Sequence, residues 1–129
     1  AKEGHAIGPA GPTTSGRVDP YTIPLLELGV KGFIGKGYRS PAIKQAFVDY
    51  RAIYMAAVGG GAALLAKQIT HIEVIAYEDL GTEAIRKLTI TQFPVIVVND
   101  CHGGDAYEAG RQQYERPMKN GGIDAYLHK

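Results

Sequence analysis

The sequence predicts an α/β fold with a mainly parallel sheet flanked by helices. Short, continuously apolar runs bounded by glycine or proline indicate buried strands, and segments with apolar residues at helical spacing alternate with them. The connections between these segments are short, which favours strands joined by helical crossovers.

Two signals in the N-terminal half mark the beginnings of helices. Residues 1–17, rich in glycine and proline, are predicted to be a loop. Asp19-Pro20 is typical of an N-cap followed by proline at the first helical position, and Gly29 would end that helix. Ser40-Pro41 repeats the signal ahead of an amphipathic helix. The apolar residues 30–34 between the two helices are typical of a buried strand.

The C-terminal half continues the alternation and then loses it. Strands are predicted over residues 53–58, 72–77 and 95–98, with a helix over residues 62–69 and a short helix opening at Thr82. After residue 99 the apolar pattern weakens, although residues 108–114 are compatible with a final helix. We therefore predict one domain over residues 1–104 and a C-terminal extension over residues 105–129.

Composition argues against several classes of function. With 14 Lys and Arg against 13 Asp and Glu, the net charge of +1 provides no field to attract nucleic acid or an anionic membrane. No apolar run approaches the roughly 18 residues of a membrane helix, and no signal-peptide pattern is found. The single cysteine, Cys101, cannot form an internal disulfide, so a reducing, cytoplasmic location is expected.

The first candidate site is the stretch Gly11-Pro12-Thr13-Thr14-Ser15-Gly16-Arg17. It places three consecutive hydroxyls and an arginine ahead of a predicted helix N-terminus, which favours binding of an anion. Arg17 can hold a carboxylate through two hydrogen bonds. The alternative is a capped turn whose hydroxyls satisfy the backbone, and the residues alone leave the two interpretations equally weighted.

A second basic loop, Gly35-Lys36-Gly37-Tyr38-Arg39-Ser40, lies between a predicted strand and the following helix. Open α/β sheets bind ligands at such positions, although a solvated turn is an equally good interpretation of this segment alone. Because both basic loops precede a helix in the same way, their convergence on one dianion becomes more plausible.

Three further stretches are weaker candidates. Gly59-Gly60-Gly61 lacks the Gly-Lys-Ser/Thr ending of a P-loop, so we favour close backbone packing or a small ligand over a nucleotide. Glu78 and Asp79 fit the charge preference of a helix start better than a catalytic role. Cys101 and His102, as neighbours on an extended strand, would point to opposite faces. No metal site is visible in the sequence.

Five stretches follow one another in a characteristic order. They are Gly11-Pro12-Thr13-Thr14-Ser15-Gly16-Arg17-Val18-Asp19-Pro20-Tyr21, Gly35-Lys36-Gly37-Tyr38-Arg39-Ser40-Pro41, Ala56-Ala57-Val58-Gly59-Gly60, residues 77–85 and residues 93–98. In this order and spacing they resemble the C-terminal domain of class I, iron–sulfur fumarases and the β subunit of two-subunit fumarases. Tartrate dehydratase β subunits are similar in plan, but Arg39-Ser40 favours the fumarase side.

The resemblance implies a swivelling β/β/α domain and a hydro-lyase that reversibly hydrates fumarate to L-malate. It implies that Thr13 exchanges the C3 proton of the substrate, while Thr14, Arg17 and Lys36 bind the dicarboxylate. It also implies a [4Fe–4S] cluster held by three cysteines of a partner α subunit, with this chain binding no metal, in a hetero- or homo-oligomer.

Two departures from the family keep a second hypothesis open. The sequence begins close to the first motif, so we expect it to lack the family's first strands, and the tail after Gly104 matches nothing in the family pattern. A non-catalytic fragment or assembly domain that retains the carboxylate loops, or the β subunit of a tartrate-type dehydratase, would also fit.

Overall fold

The computed structural model describes residues 3–4, 6–8, 10–11, 13–57 and 62–121, with the side chains of residue 62 and residues 114–121 left undescribed. Helices and strands alternate along the first half of this part of the chain, and strands dominate the second half until a long final helix. In chain order they are α1 (Asp19–Glu27), β1 (Gly32–Gly35), α2 (Pro41–Asp49), β2 (Ile53–Ala57), α3 (Ala62–Lys67), β3 (Ile69–Ala76), β4 (Ile85–Ile90), β5 (Val95–Asn99) and α4 (Ala106–Gly121).

The strands form two sheets. A three-stranded sheet has the order β1-β2-β5, in which β1 and β2 are parallel, from Gly32 opposite Ile53 to Gly35 opposite Ala56, and β5 runs antiparallel to β2. The strands β3 and β4 form a separate antiparallel pair. The predicted α/β class is therefore confirmed, but a mainly parallel sheet is not: among the described strands, one of the three pairings is parallel.

The segment after β3 accounts for one of the two antiparallel pairings. Thr82 was expected to open a helix, but the segment Glu78–Glu83 consists of short 3₁₀ turns that meet at a kink at Gly81 (φ = +58°), and β4 begins two residues later at Ile85. Without a helical crossover the chain turns back, and β4 pairs antiparallel with β3. Glu73 lies opposite Lys87 in this pair, a cross-strand combination of opposite charges that favours the register.

The core lies between the three-stranded sheet and the helices α1 and α2. Its buried side chains are Leu26, Ile43, Ala46, Phe47, Ala52, Tyr54 and Val98. The buried positions of α2 follow the helical spacing that the sequence predicted. The Phe47 ring stacks on Tyr54 and tilts against Phe33, with centroid distances of 6.4 and 5.8 Å. Full burial of a side chain such as Phe47 contributes about 1.5–3 kcal/mol.

The two predicted caps have different outcomes. Ser40 caps α2 as expected, since its hydroxyl accepts a hydrogen bond from the Ile43 amide at 3.4 Å. Asp19 is not the cap of α1: Val18 occupies that position, and Asp19 is the first helical residue. The Asp19 carboxylate is therefore available for other partners.

Helix α4 confirms the helix predicted at residues 108–114 and extends it in both directions. Asp105 begins it, because its carboxylate accepts hydrogen bonds from the amides of Tyr107 at 3.0 Å and Glu108 at 3.2 Å. The same carboxylate forms an ion pair with Lys44 of α2, and the Tyr107 ring meets that of Tyr38 at 5.0 Å. The start of α4 is thus fixed to α2 and to the loop after β1. Within the described residues, no helix has the length and apolar character needed to cross a bilayer.

Candidate functional site

The two basic loops meet through their backbones. The Ser15 amide donates to the Lys36 carbonyl at 2.9 Å, and the Lys36 amide donates to the Thr13 carbonyl at 3.1 Å. Thr14 and Lys36 consequently form an isolated parallel bridge, so the first loop adds a short extended segment beside the end of β1. This pairing brings Thr13, Thr14 and Lys36 together, although they are more than 20 residues apart in sequence.

Two glycines allow the close approach. A Cβ atom at Gly35 would overlap the Ser15 hydroxyl oxygen and would lie 3.1 Å from the Ser15 Cβ atom. Gly37 has φ = +83°, a backbone conformation that L-residues with side chains rarely adopt. The Gly-Lys-Gly sequence is therefore required by the geometry: the glycines let the backbones approach, and the lysine between them projects outward.

The four predicted site residues, Thr13, Thr14, Arg17 and Lys36, all have exposed side chains. Arg17 lies on the 3₁₀ helix Ser15–Val18, which separates the first loop from α1. The hydroxyls therefore lie one 3₁₀ turn ahead of α1 rather than at its first residues. Within the part of the chain that the structure describes, none of the four side chains has a hydrogen bond or an ion pair. Two hydroxyls and two cations thus remain available to an anionic ligand.

Arg39, the other cation of the second loop, has a different environment. The residue is only 3% exposed, and its guanidinium group lies over the rings of Phe33, Phe47 and Tyr54 at 5.8, 5.5 and 5.2 Å. Its Nε atom donates to the Asp19 carboxylate at 2.6 Å. Of the two cations of this loop, Lys36 is therefore exposed to a ligand and Arg39 is not.

Tyr54, a buried residue of β2, forms a hydrogen bond with the backbone of the second loop. Its hydroxyl group donates to the Gly37 carbonyl at 2.9 Å. Burial raises the pKa of Tyr54, while a hydrogen bond with Ser15 acts in the opposite direction. Tyr54 therefore links Ser15 of the first loop with Gly37 of the second. The sequence marked it only as part of an apolar strand, and nothing local distinguishes its supporting role.

The weaker candidates do not join this site. Glu78 and Asp79 are exposed on the second 3₁₀ helix. The Asp100 carboxylate accepts hydrogen bonds from the amides of His102 at 2.9 Å and Gly104 at 2.8 Å, which hold its pKa below the ordinary value. Cys101 and His102 accordingly lie in a tight turn between β5 and α4 rather than on a strand. Residues 59–61 fall outside the described residues.

The arrangement defines a mixed α/β domain that presents hydroxyl and cationic side chains from two paired loops at one end of a strand. Residues 1–110 match the model of the family described as the fumarase C-terminus, and the chain belongs to this family. The resemblance found in the sequence motifs is thereby confirmed.

Several relatives show the extent of the match. The chain is 39% identical over 108 residues to "Fumarate hydratase class I, anaerobic" of Escherichia coli strain K12, covering 81% of this chain and 20% of the relative. It is 38% identical over 108 residues to "Fumarate hydratase 2" of Leishmania major, covering 81% of this chain and 19% of the relative. It is also 35% identical over 111 residues to a protein provisionally named L(+)-tartrate dehydratase subunit beta of Methanocaldococcus jannaschii, covering 82% of this chain and 57% of the relative. The chain thus spans about a fifth of the length of these two fumarate hydratases.

Proposed function

We propose that this chain is the carboxylate-binding part of a hydro-lyase that interconverts fumarate and L-malate. The observation that carries the proposal is the backbone pairing of Ser15 and Thr13 with Lys36, which joins the two loops. Four exposed side chains of these loops have no hydrogen-bond or ion-pair partner among the described residues: Thr13, Thr14, Arg17 and Lys36. The fumarate hydratases among the relatives support the choice of reaction.

The charges suit a dicarboxylate. The Arg17 guanidinium can bind one carboxylate through two parallel hydrogen bonds, and the Lys36 ammonium can act as a point charge on the other. The Thr14 hydroxyl adds an uncharged hydrogen bond that helps to fix orientation. Two cations against two carboxylates leave no uncompensated charge in the bound state.

Thr13 is assigned to the proton at C3 of the substrate. Its carbonyl oxygen accepts the hydrogen bond of the Lys36 amide at 3.1 Å, so the backbone is fixed while the hydroxyl stays exposed. A threonine hydroxyl is a weak base and needs activation by its surroundings. A neighbouring ammonium group such as that of Lys36 favours the deprotonated form and would supply part of it.

The residues of this chain do not fit an iron–sulfur cluster. The sequence contains one cysteine, and the described residues contain no group of three or more His, Cys, Asp and Glu side chains placed to hold a metal ion. We therefore assign any [4Fe–4S] cluster to a partner α part, and we assign only binding and proton transfer to this chain. The cytoplasmic location likewise stays a prediction.

A tartrate-type dehydratase is the second candidate, favoured by the Methanocaldococcus jannaschii relative, of which the chain covers more than half. Arg39 was taken to favour the fumarase side, but its burial means that it could influence substrate choice only indirectly. Because the same two loops would bind either dicarboxylate, the substrate must be tested directly.

The test compares Lys36→Ala with the parent protein purified, with any subunit it carries, under anaerobic conditions. Loss of fumarate absorbance measures hydration, and dehydration of L(+)-tartrate is measured in parallel. We expect Lys36→Ala to raise KM and lower kcat, because ground-state binding and transition-state binding both lose a charge. Lys67→Ala, on the exposed end of α3, removes the same side chain elsewhere. Absence of both activities in the parent would favour the non-catalytic assembly domain.

A further inference from the structure

Close in sequence to the exposed cations of the two loops are two residues that bind each other inside the protein. Asp19 lies two residues after Arg17, and Arg39 lies three residues after Lys36. Their ion pair is nearly inaccessible to solvent, with side-chain exposures of 15% and 1%. We propose that the Asp19–Arg39 pair is the positioning element that sets the spacing of the two loops for a dicarboxylate, an inference that rests on the proposed function.

Both oxygens of the Asp19 carboxylate are used across the two loops. Oδ1 accepts the Arg39 Nε–H at 2.6 Å, and Oδ2 accepts the Ser40 backbone amide at 2.9 Å. One side chain at the start of α1 therefore holds the Arg39 side chain and the Ser40 backbone at the end of the second loop. A single oxygen could satisfy only one of these donors in the same geometry.

Thr22 adds a third link between the same segments. The Arg39 Nη2 atom donates to its hydroxyl oxygen at 2.5 Å, and the hydroxyl donates in turn to the Val18 carbonyl at 2.9 Å. Thr22 is buried, so water does not compete for these bonds. The guanidinium group is thereby fixed to two positions on α1, which limits rotation of one loop against the other.

The chemistry of the pair suits positioning better than ligand binding. The Arg39 charge is neutralised by Asp19 and lies over three aromatic rings, so it is directed away from the exposed face. Removing one partner of a buried ion pair leaves the other charge uncompensated, which makes the paired arrangement strongly preferred. The loops of the site thus depend on a charge pair that a ligand does not touch.

Asp19→Asn is the informative change because it keeps the size of the side chain. The amide has one accepting oxygen, so Arg39 Nε and Ser40 N can no longer both be satisfied. Asp49→Asn is the matched control: Asp49 is exposed at the end of α2, and among the described residues its side chain accepts a hydrogen bond only from Gln45. Ile43→Val is the control for general destabilisation, since it trims a buried core residue without changing either loop.

The experiment uses the protein as purified from its own cells, with any subunit it carries, and has two readouts. Hydrogen exchange measured by mass spectrometry reports peptides that contain the Ser15 and Lys36 amides, which pair the loops. Equilibrium binding reports affinity for fumarate. In Asp19→Asn we expect exchange at these amides to rise about tenfold and fumarate affinity to fall about tenfold, the scale of one hydrogen bond to a charged group. Asp49→Asn should change neither readout, and Ile43→Val should lower Tm without changing either.

The outcomes separate this inference from the proposed function. A folded Asp19→Asn protein with unchanged exchange at Ser15 and Lys36 overturns the positioning role, as does faster exchange with unchanged fumarate affinity. If the parent binds no fumarate, the proposed function fails, and exchange alone decides whether the pair sets the loop spacing. Should Asp19→Asn not fold, Arg39→Lys keeps the buried charge but loses the fork of donors, and the same increase in exchange is expected.

Discussion

Gly35→Ala tests the close approach of the two loops most directly. The added methyl group would overlap the Ser15 hydroxyl oxygen and would lie 3.1 Å from the Ser15 Cβ atom and 3.4 Å from the Thr13 carbonyl oxygen. Ser15 is buried, and turning its hydroxyl away would disturb the hydrogen bond with Tyr54. The strain must therefore fall on the backbone pairing of Thr13 and Ser15 with Lys36.

Two effects of opposite sign set the magnitude. Replacing glycine by alanine restricts the unfolded chain and stabilises a protein by about 0.4–1 kcal/mol where the native backbone allows it. Overpacking a filled site costs about 1–3 kcal/mol. Since the overlap involves a buried serine with little room to move, we expect overpacking to dominate and the free energy of unfolding to fall by about 1–2 kcal/mol.

Urea unfolding of four proteins measures this effect: the parent, Gly35→Ala, Ser15→Gly and the double variant. Ser15→Gly removes both atoms that the new methyl group meets most closely, so Gly35→Ala should be nearly neutral in that background. Gly32→Ala is the matched control on the same strand, where a Cβ atom would meet only the flexible end of Met55 at 3.4 Å. Additive effects of Gly35→Ala and Ser15→Gly would refute the reasoning, since neighbours in contact must show coupling.

Four further expectations follow from the site and from α4. Arg17→Lys should lower kcat/KM by an amount equivalent to about 2 kcal/mol, because a point charge cannot replace two parallel hydrogen bonds; an unchanged value removes Arg17 from the site. Thr13→Val should lower kcat about 100-fold with little change in KM, and retained exchange of the C3 hydrogen of malate in deuterated water would place the base elsewhere. Cys101→Ser should leave activity and any cluster absorbance intact, and bleaching of that absorbance would contradict it. Burial alone raises the pKa of Asp105, but hydrogen bonds from Lys44 and the amides of Glu108 and Tyr107 outweigh it and lower the pKa overall. The ionised Asp105 carboxylate therefore stabilises the folded protein above the ordinary carboxyl pKa of about 4, and this stabilisation is lost as pH falls through the lower pKa of the folded state. We expect Tm of Asp105→Asn to depend less on acid pH than Tm of the parent.

The sequence correctly predicted the elements that depend on neighbouring residues, namely a capped helix and continuously apolar strands. Ser40-Pro41 and the spacing of apolar residues located α2, and uninterrupted apolar runs located β2 and β5. The sheet was predicted less well, because strand direction depends on whether the chain crosses over or turns back. Residues 78–83 have the charge pattern of a helix start. In the structure they form short 3₁₀ turns instead, and β4 then runs antiparallel to β3, which the sequence did not indicate.

For the candidate site, too, the sequence predicted the local features but not the long-range contacts. Glycines flanking a lysine, and hydroxyls ahead of an arginine, marked both loops as candidate sites from the residues alone. The pairing of Ser15 with Lys36 could not be derived, because it depends on two segments 21 residues apart meeting beside β1. The sequence also could not distinguish the exposed Arg17 from the buried Arg39. Both arginines lie in loops just ahead of a predicted helix, and their neighbours in sequence do not indicate which one is buried.

The contrast between these two arginines explains the charge of the site. Four charged residues lie on or just after the paired loops: Arg17, Asp19, Lys36 and Arg39. Asp19 and Arg39 neutralise each other inside the protein, which leaves the charges of Arg17 and Lys36 exposed and without a protein partner among the described residues. If Asp19 faced solvent instead, it would compete with a dicarboxylate for the same cations. Because the acid is buried with a third cation, these four residues leave two exposed positive charges, which matches the two negative charges of the dicarboxylate that we propose as the substrate.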